Sequence, residues 1–132
     1  MDSQMNDGDI AIKIIDFSSA QYAEVLHLRN EVLRFPLGRS LDKVDLEGES
    51  QQLHFVAMTQ QGQIAGCLIA RKIQGETYKL RQMVVRDNFR GRGIGAKILE
   101  EAERHLKNLG AQEFELHARI GALGFYEKCA RN

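Results

Sequence analysis

Apolar and polar residues follow two different periods along the chain. Short apolar or alternating runs that end at turn residues predict β-strands. The predicted strands are residues 10–15, 53–58, 64–70, 78–85 and 113–117. The turn residues Gln61-Gly62 and Gly75-Glu76 separate the three central runs, which therefore predict an antiparallel meander. Simple alternation along 78–85 predicts one face with Tyr78, Leu80, Gln82 and Val84, and an opposite face with Lys79, Arg81, Met83 and Val85.

Apolar residues spaced three and four apart predict a helix before this meander. They are Tyr22, Val25, Leu26, Leu28, Val32 and Leu33. Ser18 with Gln21 forms a capping-box pattern at its start. Pro36 should end the helix, because the residue before a proline avoids the α region. The polar residues 36–50 that follow suit either a loop or a short second helix.

A further helix is predicted after Arg90, with Gly110 placed to end it. Its apolar stripe is Ile94, Ile98, Leu99, Ala102 and Leu106. The strand 113–117 should then lie parallel to 78–85 through a right-handed crossover, and residues 120–129 predict a last helix. The predicted fold class is α+β with three layers: a mixed, mostly antiparallel sheet with a central parallel strand pair, flanked by helices. Residues 10–132 would form this single domain after a disordered lead-in at 1–9.

The composition is that of one soluble globular domain. The chain has 132 residues, of which 43% are hydrophobic and 27% are charged. No apolar run approaches the roughly 20 residues that span a bilayer, so no membrane partner is expected. The cysteines Cys67 and Cys129 and the histidines His27, His54 and His105 lack metal or redox spacing. We therefore expect a cytoplasmic protein without a metal site.

The net charge of zero hides an asymmetry between the two halves of the chain. Residues 1–66 carry 5 basic and 10 acidic side chains, whereas residues 67–132 carry 13 basic and 8 acidic ones. A polyanionic ligand would prefer the basic segment 71–97, and a cationic ligand would prefer the first half. Because no basic face recurs with aromatic residues, nucleic acid is not an expected partner.

The segment Arg90-Gly91-Arg92-Gly93-Ile94-Gly95-Ala96 joins a predicted strand to a predicted helix. Unpaired N–H groups and the dipole at a helix N-terminus favour an anion, and glycines let a phosphate approach the backbone closely. A solvated glycine-rich turn is the plain alternative. A dinucleotide fingerprint also fits the spacing Gly91-x-Gly93-x-x-Ala96. The intervening residues 86–90 and the short chain after Glu115 count against a doubly wound fold.

Two blocks of the sequence resemble the GNAT superfamily of N-acetyltransferases. Arg90-x-x-Gly93-x-Gly95 is similar to the family's acetyl-CoA pattern (Q/R)-x-x-G-x-(G/A), and it follows the strand residues Met83-Val84-Val85. The segment Ala122-Leu123-Gly124-Phe125-Tyr126-Glu127-Lys128 resembles the family's A-x-x-FYEK block. The resemblance runs from about residue 10 to residue 128 and implies the acyl-CoA N-acyltransferase fold.

The resemblance also implies a reaction, in which a primary amine of a small molecule or peptide attacks acetyl-CoA directly. The predicted cofactor-binding residues are Met83, Val84, Val85, Arg90, Gly91, Arg92, Gly93, Ile94, Gly95, Ala96 and Arg119. The pantetheine arm would pair with the backbone of Met83 and Val85, and Val84 would lie beside the thioester. Tyr126 would be the general acid for the departing thiolate. Arg119 stands where many members carry asparagine and would also contact the cofactor.

The resemblance leaves the general base open. Histone-acetylating members use a strand glutamate, and Lys79 occupies that position here. The remaining candidates are Glu31, Glu47, Glu113, Glu115 and His117.

The sequence also departs from the family pattern after Lys128, where one or two further strands normally follow. Without them the strand 113–117 would have an unpaired edge, which favours association. We therefore expect a homodimer that covers this edge. The alternative expectation is a catalytically weak or inactive module that binds CoA or a protein partner.

Overall fold

The computed structural model describes residues 10–116, except for the side chains of residues 44 and 45. The predictions for residues 1–9 and for the last helix, and those for His117, Arg119 and Tyr126, lie outside the described residues. The strands are β1 (Ile10–Ile15), β2 (Leu53–Thr59), β3 (Ile64–Gln74), β4 (Thr77–Val85) and β5 (Glu113–Leu116). The α-helices are α1 (Ala20–Arg29), α2 (Lys43–Leu46) and α3 (Ile94–Asn108). A π-helical turn (Asn30–Arg34) and 3-10 turns at Phe35–Leu37, Glu49–Gln51 and Asp87–Phe89 complete them.

The five strands form one sheet in the order β1-β2-β3-β4-β5. Neighbouring strands from β1 to β4 are antiparallel, as the tight turns between them predict. β4 and β5 are parallel, in register from Thr77↔Glu113 to Leu80↔Leu116. The predicted α+β class with a mixed sheet is therefore confirmed, and the largely antiparallel pairing removes the doubly wound dinucleotide-binding alternative.

The sheet separates two apolar clusters, and each cluster packs against one helix. The first contains the α3 stripe with alternate strand residues such as Phe55, Leu68 and Leu80, all of them buried. The second contains Val25 and Leu28 of α1 with the intervening strand residues Val56, Ile64, Cys67 and Val84. Since neighbouring residues of one strand point to opposite faces, α1 and α3 cover opposite sides of the sheet. We call these sides the α1 face and the α3 face.

The predicted start and end of the first helix need correction. Its N-cap is Ser19 and not Ser18, because Ser19 has the extended backbone and its Oγ accepts a hydrogen bond from the Tyr22 N–H at 3.3 Å. The helical path also continues past Arg29 and through Pro36 in two differently wound turns. Phe35 has α-region torsion angles (φ −56°, ψ −41°) despite preceding a proline. Pro36 is tolerated because it lies in the first turn of a 3-10 segment, where its missing N–H needs no acceptor.

The prediction for α3 is confirmed. Every residue of its predicted apolar stripe is at most 4% exposed, and Gly110 follows its C-terminus with φ +104°. In the polar segment 36–50, both a short helix (α2) and the start of a 3-10 turn are present.

The predicted faces of β4 are wrong beyond Arg81. Gln82 has a left-handed backbone (φ +58°), and the register with β3 changes between Cys67↔Val84 and Ile69↔Arg81. β4 therefore contains one more residue than β3 over this stretch, which is a β-bulge. Because of this extra residue, Val84 packs in the α1-face cluster, whereas Met83 and Val85 pack against the α3-face cluster with Leu80.

Gly66 should be intolerant of a side chain, because a Cβ there would lie 2.7 Å from the Val84 carbonyl oxygen and 3.0 Å from Ile98 Cδ1. We expect Gly66→Ala to lower the free energy of unfolding by about 1–3 kcal/mol, measured by urea denaturation. The Ile98→Val background removes the flexible contact and leaves the backbone contact. We therefore expect it to restore only a minor part of the loss, and full restoration would contradict this assignment.

Candidate functional site

β4 extends beyond the end of its pairing with β5. The last parallel pair in the described chain is Leu80↔Leu116, yet β4 continues to Val85. The Arg86 N–H donates to the Ala65 carbonyl at 2.8 Å, and this bond determines which residues at this end of β4 direct their backbone groups toward β3. Backbone N–H and C=O groups alternate in direction along an antiparallel strand. Those of Val84 therefore point toward β3, and those of Met83 and Val85 point away from it. The second half of β4 thus presents a backbone edge on the side of β5.

A short loop carries this edge to the start of α3. Phe89, in the 3-10 turn after β4, is only 5% exposed and anchors the loop in the core. Gly91 (φ +82°) and Gly93 (φ +75°) then adopt left-handed conformations, and nothing lies within 4 Å of the position of a Cβ on either one. Their lack of side chains therefore leaves open space beside the backbone.

The N-terminus of α3 lacks a side-chain cap. Gly93 is the N-cap residue, and the Lys97 N–H donates to its carbonyl at 3.0 Å. The N–H groups of Ile94, Gly95 and Ala96 precede that bond, where a helix supplies no intrahelical acceptors. Together with the helix dipole, they make this end suitable for an anionic group.

The basic side chains around the loop have different contacts. Arg90 is more than half exposed, and its Nε donates to the Val85 carbonyl at 3.2 Å. The Arg92 guanidinium lies over the Phe89 ring, 5.4 Å from its centroid. Lys97 Nζ, which the sequence suggests as a further charge for the loop, donates to the Ile10 carbonyl at 3.2 Å. Arg90 and Arg92 are therefore the cations that the loop itself presents.

The structure thus brings most of the predicted site residues onto one path. Met83, Val84 and Val85 follow the bulge, and Arg90 to Ala96 form the loop and the first turn of α3. The roles predicted for these residues in cofactor binding remain predictions, as do those of Arg119 and Tyr126.

A buried polar network beside the bulge was not predicted from the sequence. Arg29 and Glu49 are both 0% exposed and form a bidentate pair, with Nη1–Oε1 2.9 Å and Nη2–Oε2 2.7 Å. The Tyr22 hydroxyl donates to Glu49 Oε1 at 2.6 Å. One sequence signal could have indicated the network, because Arg29 falls on the apolar stripe of α1, next to Leu28 and in line with Val25.

This network also holds β4 on its α1 face. Arg29 Nε donates to Gln82 Oε1 at 3.2 Å, so the extra residue of the bulge is tied to α1. Arg81 Nη1 donates to Gln52 Oε1 at 3.1 Å and lies 3.5 Å from Glu49 Oε2. The bulge is thereby fixed by charged hydrogen bonds, which are stronger than neutral ones.

Burial and these contacts shift the titration of the network. Burial by itself would raise the pKa of Glu49, but the hydrogen bonds from Arg29 and Tyr22 and the charge of Arg29 outweigh it and lower the pKa. Burial lowers the pKa of His54, whose Nε2 lies 2.8 Å from the Glu49 carbonyl oxygen and must be the donor there. Cys67 is buried in the core, and this burial raises the pKa of its thiol to about 12, so the thiol stays protonated at neutral pH.

Four of the candidate general bases lie in the described chain, and one of them, Glu47, is exposed. Glu31 pairs with Arg86 at 3.5 Å, and Glu113 accepts a hydrogen bond from Thr77 Oγ1 at 3.2 Å. Glu115 is exposed and lies opposite Lys79 in the register of β4 and β5. None of these contacts selects one of them as the base.

Two further observations concern metal binding and membrane insertion within residues 10–116. No group of three or more histidine, cysteine, aspartate or glutamate side chains is arranged there to hold a metal ion. No helix in that part of the chain is both long enough and apolar enough to cross a membrane.

Comparison with known sequences gives a consistent family match. A family model described as the acetyltransferase (GNAT) family matches residues 22–130. A curated protein of Bacillus subtilis (strain 168), named as a candidate acetyltransferase, is 33% identical over 94 residues, which are 70% of this chain and 61% of that protein. The chain therefore spans less than two thirds of the length of this relative.

Solved structures share the architecture. A protein from Lactobacillus plantarum, named as a candidate N-acetyltransferase, matches with a TM-score of 0.77 and 28% identity over 90% of this chain and 83% of its own. A GNAT-family acetyltransferase from Staphylococcus aureus Mu50 matches with a TM-score of 0.74 and 20% identity, over 89% and 82% of the two chains. An aminoglycoside acetyltransferase from an uncultured soil metagenomic sample matches with 0.77 and 17%, over 94% and 89%. The last two bear on the fold alone.

Glu49 should be essential to stability near neutral pH. Glu49→Gln leaves the buried Arg29 without its counter-charge, so we expect a loss of about 3–5 kcal/mol in the free energy of unfolding. Because the folded pKa of Glu49 is lowered, its contribution is fully present above the unfolded pKa of about 4.3 and disappears as the pH falls through the folded value.

Urea denaturation at several pH values measures this contribution. The difference between wild type and Glu49→Gln should be largest near pH 7 and should shrink in acid. Glu47→Gln changes an exposed neighbour and is the matched control, for which we expect a change within about 0.5 kcal/mol. An equal effect of the two substitutions would contradict the role of the buried pair.

Proposed function

Because the chain belongs to the acetyltransferase (GNAT) family, we propose that it transfers an acetyl group from acetyl-CoA to a primary amine of a small molecule or peptide. The observation that carries this proposal is the continuous path from the backbone edge of β4 to the N-terminus of α3, which are unpaired and uncapped among the described residues. A CoA molecule has the matching parts in the same order: an extended arm with amide groups, and then a pyrophosphate.

The arm of the cofactor would add to β4 like a further strand. Its amides would pair with the outward backbone groups of Met83 and Val85, as peptides pair with an exposed strand edge. The pyrophosphate would lie against the N–H groups of Ile94 to Ala96, with Gly91 and Gly93 allowing close approach and Arg90 and Arg92 adding charge. These contacts would also orient the thioester, which lies at the opposite end of the arm from the pyrophosphate.

The reaction needs no covalent enzyme intermediate. The lone pair of the neutral amine attacks the thioester carbonyl carbon, and negative charge develops on the carbonyl oxygen. A backbone N–H of the β4 edge near Val84 would stabilise that charge. The carbon–sulfur bond then breaks, and Tyr126 would protonate the thiolate, since a phenol with a pKa of about 10 stays protonated at neutral pH.

The loop can be tested by CoA binding. Gly93→Asp places a side chain and a negative charge in the open space where the pyrophosphate would lie. We expect the CoA dissociation constant from isothermal calorimetry to rise at least about tenfold, equivalent to about 1.4 kcal/mol. Gly38→Asp is the matched control, because Gly38 has a similar φ (+71° against +75°) and equally open surroundings. Unchanged affinity in Gly93→Asp, or an equal loss in both variants, would exclude this loop as the pyrophosphate site.

Catalysis can be tested separately from binding. Release of free CoA thiol from acetyl-CoA is followed across a panel of primary amines for the wild type and for Tyr126→Phe. We expect turnover by the wild type and a decrease of about 10²-fold or more in kcat for the variant, with CoA affinity retained. Cofactor binding without turnover on any amine would instead support a binding module.

A further inference from the structure

We propose that the acceptor amine carries an anionic group, a carboxylate or a phosphate, and that the Arg81 guanidinium binds it. The inference rests on the proposed acetyl transfer and names the class of acceptor for that same site. It follows from the position of Arg81 on β4, from the count of charges around it and from the exposure of its side chain.

Arg81 lies where the candidate cofactor path ends. It directly follows Leu80, which forms the last described pair between β4 and β5. Within residues 10–116, the edge of β4 on the side of β5 is unpaired from Val85 back to this point, so an arm that starts at the glycine loop would bring its thioester end toward Arg81. Gln82, the extra residue of the bulge, is next to Arg81, and both side chains contact the network on the α1 face. An acceptor that enters from the α1 face would therefore meet Arg81 within about 10 Å of the thioester.

The charges at this place do not cancel. Glu49 is the carboxylate for two guanidinium groups: it is bidentate to Arg29 at 2.7 and 2.9 Å, and only the longer 3.5 Å contact remains for Arg81. Burial lowers the pKa of Arg81, and repulsion from Arg29 and Arg71 acts in the same direction. A guanidinium nevertheless stays charged at neutral pH. The network therefore keeps a net positive charge at Arg81.

The neighbouring strand adds to this surplus. Arg71 is exposed and lies on the α1 face of β3, opposite Lys79 in the register with β4. Lys79 lies opposite Glu115 in the register of the parallel pair, which places an acidic residue beside it. Among the described residues, Arg71 has no ion pair, and Arg81, two residues away along the face, has only the 3.5 Å contact with Glu49. An anionic group is the ligand that such a pair favours.

Arg81 is held in place and yet reachable. Its side chain is 17% exposed, whereas Arg29 and Glu49 are at 0%. The hydrogen bond from Nη1 to Gln52 at 3.1 Å fixes one side of the guanidinium, and its planar fork has further N–H donors. A guanidinium fixed in this way loses little entropy on binding a carboxylate or phosphate bidentately.

The distances limit the acceptor to a small molecule. Arg81 and Val84 are three positions apart along β4, which is about 10 Å of extended strand and less with a bulge. The amine and the acidic group should therefore be separated by a short linker, as in amino acids or phosphorylated amino alcohols.

The test compares acceptors that differ only in the acidic group. The pairs are β-alanine with β-alaninamide, and phosphoethanolamine with ethanolamine, and kcat/KM is measured from thiol release. We expect the wild type to prefer the acidic member of at least one pair by about tenfold or more. The pair that shows the preference distinguishes a carboxylate from a phosphate.

Variants then assign the preference to Arg81. Arg81→Gln should raise KM for the acidic acceptor at least about tenfold while the neutral acceptor changes little, and Arg81→Lys should keep part of the preference. Arg104→Gln, on the exposed side of α3, is the matched control and should behave as wild type. Calorimetry with CoA verifies that each variant still folds and binds cofactor.

The outcomes are distinguishable. Turnover without a preference for acidic acceptors, or a preference that Arg81→Gln leaves intact, overturns this inference while the proposed acetyl transfer stands. Turnover of no amine in either pair and on the wider panel, despite CoA binding, overturns the proposed transfer and this inference with it. If Arg81→Gln fails to fold, Arg81→Lys and the wild-type comparison of the acceptor pairs still decide.

Discussion

The extra residue at Gln82 sets the face on which each later residue of β4 lies and thereby positions the candidate site. Its left-handed backbone (φ +58°) costs about 1–2 kcal/mol for a residue with a side chain. A regular strand without the bulge would therefore be favoured if the contacts with the rest of the protein were absent. The bulge persists because Arg29 binds the Gln82 amide from the α1 face. The bulge changes the face of the sheet on which the later residues of β4 lie. Leu80 and Val84 would share a face in a regular strand, but here they pack in different clusters.

The main role of the buried pair of Arg29 and Glu49 is therefore to fix the geometry of β4, and not to add stability. Removing two charges from water costs several kcal/mol per ion, and a well-packed apolar replacement is often at least as stable. An apolar replacement would not hold a left-handed Gln82 or orient Arg81. The network joins α1, the 3-10 turn at Glu49 and β4, and these segments are distant in sequence. It thus fixes β4, which forms part of the candidate site, relative to α1.

The sequence allowed much of the fold and the loop to be predicted, because each depends on local patterns. The stripe of α3, the turns of the meander and the run Arg90 to Ala96 are readable over a few residues. The misassignments have non-local causes. The bulge cannot be deduced from alternation along β4, and Glu49 lies in a polar segment that is typical of a surface. Its burial depends on Arg29, which lies 20 residues away in sequence. Only Arg29, on the apolar stripe of α1, could have indicated that a buried partner was needed.

The placement of Glu49 also changes how the charge asymmetry of the chain should be interpreted. The excess of acidic residues in the first half favours a cationic ligand only if those residues face solvent near the site. Glu49 does not face solvent, because it is buried and its charge is balanced by that of Arg29. Its position next to β4 makes Arg81 the group whose charge remains unbalanced. The basic segment 71–97 contains Arg71 and Arg81, so its predicted preference for an anion has the same sign as the charge counted contact by contact around the bulge.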